Sequence, residues 1–255
     1  MRISTDGVVL RDYKLEDDRI LTILTRTHGV ITAYAGGAAR PRSALVGSTE
    51  LLCHSDFVLF KNKDRYSVDK ADSRRIFFGL RSRYEDLSLA SYLAQLFSEL
   101  SPHEEAAEDQ LNLLLACLHY LETQKRPPGQ IKAVAELRLL TLSGYMPNLV
   151  GCKVTGVYTP EGDSMHFSPQ GDLYCGMALE GQHIPGLMPV APGVLQAMRH
   201  IVYSDSAKLF RFTLSEKGMA SLAELCEKYL LYQIEKTLPT LEFYRSIIRG
   251  VESIQ

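Results

Sequence analysis

The chain of 255 residues has no tryptophan and only five cysteines, and its longest stretch free of Asp, Glu, Lys and Arg, Gly181 to Met198, is broken by Pro185, Pro189 and Pro192. A bilayer requires about 20 predominantly apolar residues in one helix, so that stretch is a poor membrane span. Near the N-terminus, Asp6 and Gly7 leave no apolar core for a secretory signal. Cys53, Cys117, Cys152, Cys175 and Cys226 form an odd, scattered set, unlike a disulfide scaffold. These absences predict a cytoplasmic protein. Catalytic signatures are missing as well. The chain has no G-x-x-x-x-G-K-[ST], G-x-G-x-x-G, H-E-x-x-H or G-x-S-x-G, so neither ATP-driven nor hydrolytic chemistry has an evident seat. The seven histidines are scattered, and His119 reads as a core or boundary residue.

What is present describes an ordinary folded chain. It is 45% hydrophobic and 23% charged, with mean hydropathy −0.07, enough for one large domain or two modest ones. The net charge of −2 conceals an asymmetry. Met1 to Arg83 carries 15 Lys+Arg against 10 Asp+Glu, and Tyr84 to Gln255 carries 13 against 20. A basic front of this kind suits a polyanion, and an acidic remainder suits folding or protein contacts.

Up to about Ala71 the texture is β. Five runs, Gly7–Arg11, Arg19–Thr25, Val30–Ala35, Leu51–Phe60 and Arg65–Ala71, are joined by turns such as Thr27-His28-Gly29 and Lys61-Asn62-Lys63-Asp64. Five antiparallel strands are the content of an OB-fold barrel, although an SH3-like barrel has the same count. After Asp72, Leu89, Leu93, Leu96, Phe97 and Leu100 share one helical face. Ser101-Pro102-His103-Glu104 reads as a capping box that opens a second helix through Leu111, Leu114, Leu115 and Leu118. A third helix over Gln130 to Ser143 ends at Gly144, and the stretch Gly151 to Pro192, rich in glycine and proline, reads as a loop-rich insertion. Leu222, Leu225, Cys226, Tyr229 and Leu230 mark a later helix that Pro239 ends or kinks.

Candidate chemistry lies in the basic front. Gly36 to Ser43 sets Arg40 and Arg42 on a flexible glycine base, which suits phosphate. Lys61, Lys63 and Arg65 cluster at the next hairpin, Lys70, Arg74 and Arg75 follow, and Tyr34 and Tyr66 are candidate stacking faces. The acidic run Glu16-Asp17-Asp18 reads as a solvated turn. Cys152 and Cys175 are half of a zinc knuckle, because the thiolates that would complete two C-x-x-C pairs are replaced by Thr155 and Ala178. His166, Asp172 or His183 could substitute in principle, but the spacing is irregular, so the two cysteines are read as reduced and packed, and no cofactor is expected.

Several stretches, taken in order, resemble one family. They are Gly7-Val8-Val9-Leu10 followed by Tyr13, Asp18-Arg19-Ile20, Thr27-His28-Gly29 and the Gly37 to Ser43 loop. Glu136-Leu137-Arg138-Leu139-Leu140 then leads to Gly144-Tyr145-Met146-Pro147-Asn148-Leu149, and Cys152 and Phe167-Ser168-Pro169-Gln170-Gly171 before Cys175 complete the series. The chain resembles the bacterial RecO family of DNA repair and recombination mediators. That resemblance implies an α+β protein with a five-stranded OB-fold over residues 1–80. A helical domain over 81–255 follows, with a loop-rich, zinc-ribbon-like insertion at 145–192 that carries four cysteines in many members. It also implies a non-catalytic role at the nucleoid: binding single- and double-stranded DNA, annealing complementary strands and, with RecR, helping RecA load onto DNA coated with single-strand binding protein. The acidic tail of that protein would dock on the helical domain, where Lys132 and Arg138 are the nearby cations. Two other readings stay open from the residues alone: a zinc-dependent enzyme around Cys152, Cys175 and His166, and an adaptor whose barrel binds a peptide.

Overall fold

The computed structural model describes residues 1–63, 65–158, 164–180 and 183–252. Asp64 of the expected hairpin, residues 159–163 of the expected insertion, and residues 181–182, which begin the long uncharged stretch, lie outside the described residues.

A long first strand organises the N-terminal part. β1 (Arg2–Leu15) pairs antiparallel with β2 (Asp18–Thr25) along its later half and with β4 (His54–Asn62) along its earlier half. With β3 (Gly29–Ala35) and β5 (Arg65–Arg75) it closes a barrel in the order β1-β2-β3-β5-β4, in which only the β3–β5 contact is parallel. Period-2 alternation fills the interior with Ile3, Val9, Leu21, Ile23, Ile31, Phe57 and Leu59. Val8 and Leu10 are buried too, because α1 (Tyr84–Leu100) packs over the outside of β1. The barrel has the OB-fold strand content and closure expected from the sequence. The strand bounds differ from expectation at both ends of the first run, where β1 extends from Arg2 to Leu15 rather than from Gly7 to Arg11, and in β4 and β5, while β2 and β3 each start one residue early. The strand read over Leu51–Phe60 starts only at His54, since Leu52 turns the chain with φ of +64°, and β5 runs four residues beyond Ala71 to Arg75.

The expected capping box does not open a helix. Ser101 ends α1, its N–H donating to Phe97 O (3.1 Å), and α2 (Glu108–Glu122) begins seven residues later. Tertiary partners claim the intervening segment. The Pro102 carbonyl accepts from Val30 N–H (2.8 Å), Ala107 N–H donates to Arg26 O (3.0 Å), and the Glu104 side chain meets Lys61 and Tyr66 rather than the backbone of a first turn. A capping box is a local preference, and these long-range partners outcompete it. α6 (Pro239–Glu252) packs on α1, where Thr240 donates from N–H and hydroxyl to Gln95 Oε1 (3.2 and 2.6 Å). Pro239 therefore starts a new helix rather than kinking the one before it.

By chain contacts the molecule forms two compact units, Met1–Lys125 together with Leu238–Gln255, and Arg126–Thr237. The last barrel strand ends at Arg75, whereas the units divide after Lys125 and the C-terminal helix belongs to the first. In the second unit α3 (Pro128–Leu142) packs on α5 (Glu216–Ile234) and α4 (Pro192–Tyr203) on both. As expected, Gly144 follows α3 in the left-handed region, with φ of +89°. The insertion is more ordered than its composition suggests. β6 (Asn148–Cys152), β7 (Met165–Phe167), β8 (Asp172–Cys175) and β9 (Met188–Val190) form a small sheet in the order β6-β8-β7-β9. Leu149, Met165, Phe167 and Leu173 are buried in it. Among the described residues no helix is long and apolar enough to cross a membrane.

Candidate nucleic-acid interface

The barrel lines up outward-facing residues through its register. Tyr34 of β3, Ser67 of β5 and Phe60 of β4 are successive Cα partners, and the row continues on the other side through Ile20 of β2 to Tyr13 of β1. Tyr34 and Phe60 are 46% and 45% exposed, so both present ring surface to solvent. β3 leads directly into the Gly36 to Ser43 loop, and the β4–β5 hairpin with Lys63 and Arg65 lies between the paired Phe60 and Ser67, three residues past the first and two before the second. The register thus puts rings beside two cationic segments.

The loop is fixed by the acids read as a solvated turn. Asp18 Oδ1 accepts from Gly37 N–H (2.6 Å), its other oxygen accepts from the Tyr34 hydroxyl, and these bonds hold its carboxyl below the usual range. The Asp17 carbonyl accepts from Ala39 N–H (2.8 Å), and its carboxylate pairs with Arg40 Nε (3.1 Å). Asp17 and Asp18 are therefore anchors, which order the loop and orient the Tyr34 ring. The Arg40–Asp17 pair is about two-thirds exposed on both sides, and a pair so hydrated contributes little and exchanges partners readily. Arg42, Lys63 and Arg65 are exposed and make no ion pair with a described residue.

The other predicted residues are occupied. Tyr66 is 4% exposed inside the barrel core, with its hydroxyl donating to Glu104 Oε2 (2.5 Å), so it offers no stacking face. Lys61 lies 4.9 Å from the Tyr66 ring centroid and donates to Glu104, whose carboxylate raises the lysine pKa. Arg74 and Arg75 sit at the far end of β5, about ten residues from Arg65. Arg74 is held by Asp56 (2.7 Å) and Asp6 (3.5 Å), and Arg75 by Glu122 (2.7 Å) and His119 (3.1 Å). The expected cluster therefore divides, with Arg40, Arg42, Lys63 and Arg65 near the exposed rings and Arg74 and Arg75 elsewhere. Sequence reasoning missed Phe60, although alternation with buried Phe57 and Leu59 already marks its outward phase.

In the second unit neither expected tail-binding cation is free. Lys132 is buried between Glu136 (2.7 Å) and Glu227 (2.6 Å). Arg138 caps the end of α4, donating to the carbonyls of Ile201 (3.3 Å) and Val202 (2.7 Å). The described residues of the knuckle do not assemble a zinc ligand set. Cys152 and Cys175 bring two sulfurs together, but Thr155 adds only a hydroxyl 3.5 Å from Cys175 Sγ and Ala178 adds nothing, and Asp172 is paired with Lys153 (2.5 Å). Among the described residues no three His, Cys, Asp or Glu side chains converge as metal ligands. Packing holds the knuckle instead. Buried Arg199 donates to the carbonyls of Leu149 (2.8 Å), Val150 (3.4 Å) and Tyr158 (2.8 Å), and Phe167 meets Tyr229 edge-on at 5.2 Å.

A five-stranded OB barrel followed by helices and a small sheet insertion defines an α+β protein of the OB-fold class. Comparison with known proteins makes this specific. The family model described as Recombination protein O N terminal matches residues 1–77, and that described as Recombination protein O C terminal matches residues 81–242. The DNA repair protein RecO of Acetivibrio thermocellus is 34% identical over 249 residues, 97% of this chain and 98% of the relative. The proteins of the same name from Heliobacterium modesticaldum and Symbiobacterium thermophilum are 31% and 28% identical over 251 and 244 residues, covering 96% and 94% of this chain and 90% and 95% of theirs. The chain belongs to the RecO family of DNA repair proteins.

Proposed function

We propose that this chain is a non-catalytic recombination mediator whose barrel grips the sugar-phosphate backbone of DNA. In this reading Arg40 and Arg42 on the β3–β4 loop and Lys63 and Arg65 on the β4–β5 hairpin contact phosphates of single- or double-stranded DNA. Tyr34 and Phe60 give bases a surface to stack on, worth about 1–3 kcal/mol per base. Backbone contacts of this kind leave base edges free, which is what annealing of complementary strands requires. With RecR, the protein then helps RecA load onto DNA coated with single-strand binding protein, in the cytoplasm at the nucleoid. The acidic tail of that binding protein docks on surfaces other than Lys132 and Arg138, because both are held by internal contacts.

The observation that carries the reading is the register that sets exposed Tyr34 and Phe60 beside the loop and hairpin bearing Arg40, Arg42, Lys63 and Arg65. Binding of a fluorescent single-stranded oligonucleotide at low salt tests it. Replacing Arg40 and Arg42 together by alanine is expected to weaken affinity at least about tenfold, at roughly one phosphate contact per arginine, with the circular dichroism spectrum unchanged. Unaltered affinity in a folded double variant would overturn the assignment.

A further inference from the structure

The five cysteines fall into two groups. Cys53, Cys117 and Cys226 are buried separately, and Cys117 and Cys226 have thiol pKa values pushed up by full burial. The nearest polar partners of Cys53 are the Ser55 hydroxyl (3.2 Å) and backbone carbonyls. Cys152 and Cys175 are also buried, at 3% and 0% exposure, but they lie together. They end the adjacent parallel strands β6 and β8, and their Sγ atoms lie 3.4 Å apart, in van der Waals contact. Both thiols are free, and Cys175 N–H also donates to Cys152 Sγ (3.3 Å).

We propose that Cys152 and Cys175 form a reversible disulfide on exposure to a small hydroperoxide such as hydrogen peroxide, closing the knuckle covalently. Cys152 is the attacking sulfur. Burial opposes its ionisation, but hydrogen bonds from the Thr155 side chain and from the backbone N–H groups of Thr155, Cys175 and Val154 outweigh burial and bring its pKa to about 6. The Cys152 thiolate attacks one peroxide oxygen and the O–O bond breaks, giving a sulfenic acid and, after protonation of the leaving hydroxide, one water. Cys175 then attacks the Cys152 sulfur and loses its proton. The S–O bond breaks, and the hydroxyl leaves as a second water. Two thiols and one hydrogen peroxide thus become one disulfide and two waters, with two electrons passing from sulfur to oxygen. A dithiol reductant reverses the reaction by thiol–disulfide exchange.

Thiol counting on the full chain tests this. The reduced protein is treated with a small excess of hydrogen peroxide, quenched, and alkylated with N-ethylmaleimide in denaturant. Alkylatable thiols are expected to fall from five to three, with a peptide linking Cys152 to Cys175 in the digest and all five restored by dithiothreitol. In the Cys175→Ser variant the linked peptide is expected to vanish and Cys152 to be trapped as an adduct of dimedone, which reacts with sulfenic acids. Five alkylatable thiols after peroxide, losses spread over Cys53, Cys117 and Cys226, or stoichiometric zinc in the purified chain would each overturn the proposal.

Discussion

Asp6 shows how one side chain can tie several elements together. It lies in β1 at 7% exposure and accepts both fork bonds of Arg26, from Nε (2.8 Å) and Nη2 (2.9 Å), while His54 Nε2 lies 3.0 Å from it. The same guanidinium reaches α2 at Glu108 (3.0 Å) and Asn112 (3.1 Å). Burial alone would raise the Asp6 pKa, but the hydrogen bonds and charges of Arg26 and His54 take it from 3.8 down to about 2. A carboxyl whose folded pKa is depressed contributes stability above its unfolded value and loses it as the pH falls through the folded one. Asp6→Asn is therefore expected to cost about 2 kcal/mol at pH 7. The gap from wild type should narrow between about pH 4 and pH 2, where the wild-type group itself takes up a proton. Urea unfolding at several pH values measures this, and an equal gap at pH 7 and pH 2.5 would contradict it. Residue type alone did not reveal such roles. Tyr66, Lys61 and Lys132 have the chemistry of a binding surface in the sequence, yet Glu104, Glu136 and Glu227, 38 to 95 positions away or one helical turn off, occupy them.

At the scale of elements the sequence was most legible where a single period ran long enough. The barrel strands and α1 emerge from alternation and from the leucine stripe. The small sheet does not, because β7 and β9 have three residues each and β8 four, too few to distinguish a strand from a loop rich in glycine and proline. The connector between α1 and α2 departs from its local signal for a different reason, since its partners come from the barrel. Gly29 shows how tight that junction is. It opens β3 with φ of +57°, and a Cβ there would lie 2.0 Å from the Pro102 carbonyl oxygen and 2.7 Å from that of Glu105. Both the left-handed conformation and the lack of space exclude a side chain. Gly29→Ala is expected to destabilise the first unit by about 2–4 kcal/mol, because backbone rather than a mobile side chain must move. Gly144→Ala is the control. Its φ is also positive, but nothing lies within 4 Å of its Cβ position, so the strain is conformational and the cost about 1 kcal/mol. Equal losses in the two variants, compared by thermal unfolding, would mean that the contact with the connector contributes nothing.

For the molecule as a whole, the charge asymmetry has a structural resolution that the sequence could not display. The excess of five positive charges over residues 1–83 is followed by one Lys and eight Asp+Glu over residues 84–125, and residues 126–255 are balanced at twelve of each sign. The acidic stretch belongs to the barrel's own compact unit and pairs with its cations, Glu104 with Lys61, Glu108 with Arg26 and Glu122 with Arg75. Most of the basic front is thus neutralised internally, and the charge open to a polyanion is local rather than global. If Arg40, Arg42, Lys63 and Arg65 are the phosphate contacts, they number four. For a single strand each contact contributes about −0.7 to the slope of log K against log salt, so the slope should be about −3. Removing Arg40 and Arg42 should bring it to about −1.5 while the dependence on base composition stays weak. Lys61, Arg74 and Arg75 can bind phosphate only by leaving their carboxylates, so replacing them singly by alanine should leave the slope where it was. A wild-type slope near −6, or a flatter one after Arg75→Ala, would show that the internal pairs open on DNA and that the interface extends beyond the loop and hairpin.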